Sequence, residues 1–317
     1  MANAYTDTSS ASLGTSLVQT AYDRYVEFAL RAEPTFRTVA DKRPAEQAMP
    51  GSSVVMQLYS DLAPTTAKLN EDTDPDAVAI GNTSTVTISL DEYGNDVVVT
   101  RKVELFSLSA VDPAVANLVA WNMRDSIDVD AQEVLRTGTN AYVKNAGTFS
   151  TTGTTGAVTG TDIFASQAVR FTVAKLRAGK AQPRRNGKYQ FFIHPEVSYD
   201  LRAETGAGSW RDPHVYSAPD MIWDGEIGEY EGGFFVETPR AYNATDGSSS
   251  TRVFRTYALG MQAFAEAVAE EPHVVIGPIT DKLARFRPVG WYGVLGWAVY
   301  RQAALWRIET TSSIDNT

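Results

Sequence analysis

Three histidines and several clusters of acids are the side chains with which this 317-residue chain could do chemistry. His194, His214 and His273 are too far apart in sequence for two of them to share a helix face at i, i+4, the spacing that builds a zinc site. His194-Pro195-Glu196 has the residue types for acid–base work, yet a histidine closing a strand before a proline reads as structural. An α+β hydrolase using His194 and Glu196 is the alternative from the enzyme class. Glu71, Asp72, Asp74 and Asp76 crowd carboxylates as a hard cation requires, but the run lacks the glycine and closing glutamate of a calcium loop. It reads as an acidic tip facing solvent or a partner. Asp125, Asp128 and Asp130 fall on a predicted helix and read as its solvated face.

Other signatures are missing from the sequence. There is no phosphate-binding Gly-x-x-x-x-Gly-Lys-Ser/Thr and no Gly-x-Ser-x-Gly elbow. Gly225, Gly228, Gly232 and Gly233 have the wrong spacing for a dinucleotide fingerprint and read as turn residues. No cysteine is present, which excludes thiol catalysis, disulfides and cysteine zinc sites. No catalytic residue, cofactor or metal is therefore assigned, and the chain is not read as an enzyme. Lys282, Arg285, Arg287, Arg301 and Arg307, interleaved with Phe286, Trp291, Trp297 and Trp306, have the types of a single-strand stacking surface. The preferred reading is a set of core strands whose arginine heads reach the surface. The net charge of −10 opposes bulk attraction to nucleic acid or anionic membrane.

The elements that would position these residues mix helices and strands without regular β-α alternation, which points to an α+β fold. Leu17, Val18, Ala21, Tyr22, Tyr25, Phe28 and Ala29 recur at helical spacing before Pro34. Strands are expected at Val54–Tyr59, Thr85–Leu90 and Val97–Phe106, the last after a turn over Glu92–Asp96. Between the first two runs a long acidic segment with Pro75 fits no core. A hairpin loop is normally about 2–5 residues, and a two-stranded hairpin is marginal alone. The pair therefore reads as a projecting arm whose packing surface lies on another molecule.

A long helix is expected from Asp112, a good N-cap followed by Pro113, to a stop at Gly138. Val115, Leu118, Val119, Met123, Ile127, Ala131, Val134 and Leu135 form its apolar stripe. The Gly/Thr/Ser-rich stretch Gly147–Gly160 reads as a boundary or surface loop. A further helix is expected over Asp162–Arg177, then a buried strand over Lys188–His194 and a helical turn from Pro195. Gly225–Glu237 and Val253–Ala265 read as strands, and Val274–Thr310 as short strands among aromatic packing segments. Met1–Thr15 lacks the pattern of a secretory signal. The apolar run Val289–Tyr300 is shorter than the ~20 residues of a membrane span.

In this order the elements resemble those of a tailed-bacteriophage major capsid protein of the Hong Kong 97-like fold. Local sequence is similar to the coliphage N-four-like capsid group: Tyr93-Gly94 before a β run, Phe192-Ile193-His194-Pro195 with Tyr199 and Leu201, Gly225-Glu226-Ile227-Gly228 before Gly233 and Val236, Gly290-Trp291, and the closing Ala304-Leu305-Trp306-Arg307-Ile308-Glu309. The resemblance implies an N-arm over 1–50, an extended loop and the start of the peripheral domain over 51–106, and the peripheral domain with its spine helix over 107–160. It further implies an axial domain over 161–280, with returning peripheral strands and the C-terminus over 281–317.

The function implied is self-assembly into the icosahedral head of a tailed double-stranded DNA phage, in the virion, after assembly in the host cytoplasm. The partners implied are other copies in pentamers and hexamers, a separate scaffolding protein, a decoration protein as a further candidate, and packaged DNA held without sequence-specific binding; no membrane is expected. Lys68 on the loop is not taken as an isopeptide crosslink site. An encapsulin-type compartment shares the fold and is the nearest alternative. Intersubunit contact is expected between the acidic tip, Glu71, Asp72, Asp74 and Asp76, and basic residues of a neighbour among Arg37, Lys42, Arg43, Arg184 and Arg185.

Overall fold

The computed structural model describes residues 31, 33–44, 53–59, 61–66, 68–69, 71–72, 74, 77–80, 84–106, 111–205, 228–278, 281, 283 and 285–314. The amphipathic run Leu17–Ala29 lies outside them, as do His214, Asp76 and Lys282. A 3-10 turn at Phe36–Val39 leads into β1 (Asp41–Pro44), followed by β2 (Ser53–Leu58), β3 (Ser84–Ser89) and β4 (Asp91–Thr100). Next come α1 (Arg101–Phe106), α2 (Val111–Arg136), β5 (Ala141–Asn145), β6 (Thr148–Ser150) and α3 (Ser166–Ala178). β7 (Tyr189–Ile193), α4 (Pro195–Ala203), β8 (Glu229–Tyr230), β9 (Gly233–Glu237) and β10 (Asn243–Ala244) follow. The chain closes with β11 (Val253–Leu259), β12 (Phe264–Ile276), β13 (Phe286–Val299) and β14 (Leu305–Thr310).

The chain divides into two units, the larger comprising Ala32–Gly94, Asn122–His273 and Tyr292–Thr317. Its centre is an eight-stranded sheet in the order β6-β5-β14-β11-β7-β9-β8, with β10 also paired to β11. Alternation along the central strands sends side chains into two cores. Phe191 and Ile193 of β7, Phe254 and Ala258 of β11 and Ile308 of β14 join Val169, Val173 and Leu176 of α3 and Val197 and Leu201 of α4. On the other side Phe192, Tyr257, Leu259 and Leu305 meet Ala131 and Leu135 of α2 together with Phe36. A sheet covered on both faces needs continuous apolar strands, and β11 is buried at every position. The second sheet has the order β1-β12-β13-β4, and β2 pairs with β3 alone. The described residues of the smaller unit are 31, 95–106, 111–121, 274–278, 281, 283 and 285–291.

The predicted strands β2, β3 and β7 and the predicted helices α2, α3 and α4 are present, with several boundaries corrected. β4 runs straight through Glu92–Asp96, the segment read as a turn, and ends at Thr100. Residues 101–106 are helical instead of extended: they are mostly good helix formers, and the Thr100 hydroxyl accepts from the Val103 N–H at 3.4 Å. Leu118, placed on the apolar stripe of α2, is 48 % exposed. β12 and β13 are long strands, not short ones.

Gly147–Gly160 lies within the larger unit and is a largely irregular segment tied down at its ends. Ala146 and Gly147 both have positive φ, 47° and 81°, and form the two-residue turn that pairs β5 with β6. Asp162, expected in a helix, is fully buried before it. Its carboxylate accepts the backbone N–H groups of Ala146 (3.1 Å), Gly147 (2.6 Å) and Thr159 (2.8 Å), and the Thr159 hydroxyl (2.6 Å). The two ends of the stretch are thus held by one carboxylate.

Burial alone would raise the pKa of Asp162, but the Thr159 hydroxyl and the three N–H donors outweigh it and hold the pKa below the usual aspartate value. The stabilisation is therefore complete above the unfolded-state value near ~3.9 and is lost as pH falls through the lower folded-state value. Asp162→Asn is expected to cost ~1–3 kcal/mol at pH 7. Urea unfolding at pH 7 and at decreasing acid pH should show that deficit shrinking; a deficit independent of pH would refute the role.

Candidate intersubunit surface

The paired strands β2 and β3 form the root of an arm, in antiparallel register with Val54 opposite Ile88 and Met56 opposite Val86. Period-two patterning gives them one apolar and one polar face, as the sequence predicts. The apolar face packs on the chain's own body, which corrects the expectation that its support lies on another molecule. Ile88 is fully buried with Ala265 and Ala267 of β12, and Val54, Met56, Leu90, Ala298 and Tyr300 pack around them. The alanines matter because small side chains let the root approach closely. Gly296 matters more: a Cβ there would stand 1.8 Å from the Ser89 carbonyl oxygen and 3.0 Å from the Ile88 side chain.

Beyond the root, every described residue from Tyr59 to Ile80 is exposed. Leu69 and Val78 are each 78 % exposed, and Leu62 and Ile80 are also open to solvent. Apolar side chains of that size on a loop without a core are candidates for a contact surface. Glu71, Asp72 and Asp74 share the loop and its exposure.

A second surface begins where the chain enters the body. Phe36 is fully buried, with its ring centroid 4.9 Å from that of Phe192 and 6.1 Å from that of Tyr257. The buried carboxylate of Asp128 accepts the N–H of Phe36 at 2.7 Å and of Arg37 at 3.2 Å, while its other oxygen receives Arg240 Nε at 2.9 Å. Asp125 also pairs with Arg240 and is 41 % exposed. Asp128 is therefore not on a solvated face; sequence reading missed its role. The available signal was its position, one residue after Ile127 and three before Ala131, at the edge of the apolar stripe. Asp130 is half-buried, and burial followed by the charge of Glu133 raises its pKa.

Of the basic residues expected to meet the acidic tip, Arg37 is committed within its own chain. Its guanidinium lies 2.8 Å from both Glu266 and Glu271. Burial raises the pKa of Glu266 despite that cation, whereas for Glu271 burial is outweighed by the hydrogen bonds and charges of Arg37 and Lys42 together, which lower it. Lys42 is 3.6 Å from Glu271 and is 57 % exposed. β1 runs parallel to β12, with Arg43 opposite Ala267. Arg184 is half-buried, which lowers its pKa against the opposing charge of Asp41, and Arg185 lies over the Phe234 ring at 5.3 Å.

Of the residues considered for catalysis, His194 has a structural role. His194 caps α4, its Nδ1 accepting from the Glu196 N–H at 3.3 Å, and its ring lies 4.8 Å from Phe254. His273 is exposed, with Nδ1 3.0 Å from the Glu271 carbonyl. Among the described residues no group of three His, Asp or Glu side chains is placed to hold a metal ion, and no helix is long and apolar enough to cross a membrane. Trp291 is buried, and Trp297 and Trp306 pack against the two cores, so these rings do not form a stacking platform. In the smaller unit Val97 and Val98 of β4, and Val275 and Ile276 of β12, are all exposed. Successive strand residues face opposite ways, so apolar groups are open on both sides of these strand ends. Leu105 and Phe106 of α1 are exposed at 71 % and 78 %.

A family model described as phage capsid protein matches residues 16–302. No curated protein sequence matches the chain. Among solved structures, the head structure of Helicobacter pylori bacteriophage KHP40 is similar at TM-score 0.74 and 12 % identity, covering 98 % of this chain and 99 % of that one. The capsid structure of cyanophage P-SCSP1u gives TM-score 0.71 and 14 % identity over 96 % of each chain. Mycobacterium phage Che8 gives 0.67 and 15 %, over 92 % of this chain and 97 % of that one. The fold is Hong Kong 97-like, as the resemblance in sequence implies.

Two substitutions, with a third as control, test the anchors of these surfaces. Gly296→Ala forces a methyl against the β3 backbone and is expected to cost ~1–3 kcal/mol, with faster hydrogen exchange over residues 84–89. Unchanged exchange there would show that the close approach does not hold the arm. Asp128→Ala should destabilise by ~3 kcal/mol or more, because it leaves two backbone N–H groups and the Nε of a partly buried arginine without their acceptor, whereas Asp125→Ala should cost under ~1 kcal/mol. Equal losses in chemical denaturation would contradict the assignment.

Proposed function

The chain belongs to the phage capsid protein family and is a structural major capsid protein, and from that premise we propose how its copies join into a shell. The observation that carries the proposal is an arm rooted rigidly on the body whose loop is exposed at every described position. A loop with exposed Leu69 and Val78 beside Glu71, Asp72 and Asp74 is suited to lie across another copy of this chain. Many identical chains meet slightly different surroundings in a closed shell. A rigid body with an outlying arm accommodates this, since the packed cores need not deform. Individually weak contacts summed over many neighbours then stabilise the particle.

Within this reading, 1–50 is the N-arm, 51–106 the extended loop and start of the peripheral domain, and α2 the spine helix. The sheet order supports placing 141–160 and 305–314 with the axial strands of 161–280, since β5, β6 and β14 share a sheet with β7, β9 and β11. The exposed apolar strand ends of the smaller unit are further contact surface between copies. A separate scaffolding protein, assembly in the host cytoplasm and double-stranded DNA packaged without sequence-specific contacts complete the proposal. The family match supports this reading over an encapsulin-type compartment, and the capping role of His194 counts against the hydrolase alternative.

Electron microscopy of the expressed chain, alone and with the scaffolding protein of its phage, should show closed shells. A chain that stays monomeric at high concentration with scaffold and in every salt would overturn the proposal. Glu71→Lys, Asp72→Lys and Asp74→Lys together should lower shell yield, while each alone has little effect because exposed pairs contribute only ~0–1 kcal/mol. Unchanged yield and salt stability of the triple variant would remove the acidic tip from the interface.

A further inference from the structure

A groove of about 520 Å³ lies beside the arm's root. Leu58 and Tyr59, where the loop leaves β2, line one side; Lys180 and Gln182, after α3, line another. Met261 and the stretch Tyr300–Ala304 complete it. Its walls contain two cations, Lys180 and Arg301, and no Asp or Glu. Both cations are exposed, and neither forms an ion pair among the described residues. The groove also opens from the most basic part of the chain: between Asp162 and Glu196 there is no acid, while Arg170, Lys175, Arg177, Lys180, Arg184, Arg185 and Lys188 are all basic. In a chain of net charge −10 this is a strong local reversal. Lys180 and Gln262, in two of the turns that form the walls, have φ of 55° and 59°, a left-handed conformation that neither residue type favours. Such strain persists where surrounding structure holds a turn in a required shape.

Resting on the reading of the chain as a shell subunit, we propose that this groove receives the loop tip of a second copy, with Glu71 and Asp72 against Lys180 and Arg301 and Leu69 against Met261 and Tyr300. The charges are complementary: the loop from Tyr59 to Thr83 carries five acids and a single lysine. The lining is mixed as well, with Leu58, Tyr59, Met261 and Tyr300 beside the cations, which suits an apolar residue two positions before an acidic pair. A nucleic-acid backbone offers charge but no aliphatic side chain to match. Donor loop and receiving groove are different surfaces of one chain, so the contact is head-to-tail, the type that closes into rings when the rotation allows. Because the loop leaves from the rim of the groove, each subunit donates one arm and receives another at nearly the same place.

A charge swap tests this in assembling protein. Lys180→Glu with Arg301→Glu should lower shell yield about tenfold, the effect of ~1.4 kcal/mol in the association equilibrium. Combining that pair with Glu71→Lys, Asp72→Lys and Asp74→Lys should restore yield. Yield unchanged by the groove pair, or no rescue in the combined variant, would overturn the proposal. Normal shells that package less DNA would assign the groove to the genome and overturn it equally. Because the chain has no cysteine, Leu69→Cys and Gln182→Cys can be introduced in separate subunit populations and co-assembled under mild oxidation. Disulfide-linked dimers across populations are expected. A link formed only within a doubly substituted monomer would show the loop folding into its own groove. Failure of the unaltered chain to form shells would instead count against the proposed function, so the two failures are distinguishable.

Discussion

An exposed loop can serve as a connector only if its root is fixed, and here the root is fixed by how closely two backbones approach. The Ser89 carbonyl lies where a side chain at position 296 would begin, so only glycine admits the β2–β3 pair to the floor formed by Ala265, Ala267 and Ala298. Small residues on the body and branched residues on the arm create a contact in which the arm buries one complete face. The isolated hairpin, marginal by itself, gains a second layer from the sheet beneath it. The free loop then begins from a defined place and direction. The capsid reading depends on that rigidity, since a floppy root would add an ordering cost to every contact between copies.

The entry of the chain into the body follows a related logic with charge added. Phe36 supplies the apolar plug, and Asp128 satisfies the backbone donors that burial of the plug would otherwise strand. Arg240 offsets the charge of that carboxylate. Arg37, one residue further, links the same segment to Glu266 and Glu271 of β12. Buried ion pairs contribute little net stability compared with apolar packing, but losing one partner is costly, so such networks fix position more than they add stability. The network of Arg255, Arg307 and Glu309 across β11 and β14 works in the same way inside the large sheet. Arg255 and Glu309 are direct cross-strand partners, which pins the register of those two strands.

The two surfaces differ in how legible they were in the sequence. The arm's strands follow from alternation alone, since Val86 and Ile88 separated by threonines permit one folding of the backbone. Its acidic loop was legible because a run holding Glu71, Asp72, Asp74, Pro75 and Asp76 fits no core. The groove was not, because it draws on residues 58–59, 179–182, 261–262 and 300–304, and no periodicity connects them. Asp128 was misread for a related reason. Helical spacing places it at the margin of the apolar stripe, and whether a margin residue meets water or a backbone N–H depends on what packs there. The segment 147–160 misled in the opposite direction: its composition looks flexible, yet Gly147 and Thr159 near its ends donate to the carboxylate of Asp162.

By itself the sequence determined the α+β class, the long helix, the paired strands of the arm, the absence of cysteine chemistry and the acidity of the loop. These properties depend on near neighbours along the chain, through the 3.6- and 2-residue periods and local turn chemistry. Tertiary structure alone decided that the arm packs on its own body, that Arg37 binds Glu266 and Glu271, and that a cationic groove opens beside the arm. Each of these joins residues far apart in sequence, and such pairings are set by the packing of whole layers, which no local pattern encodes.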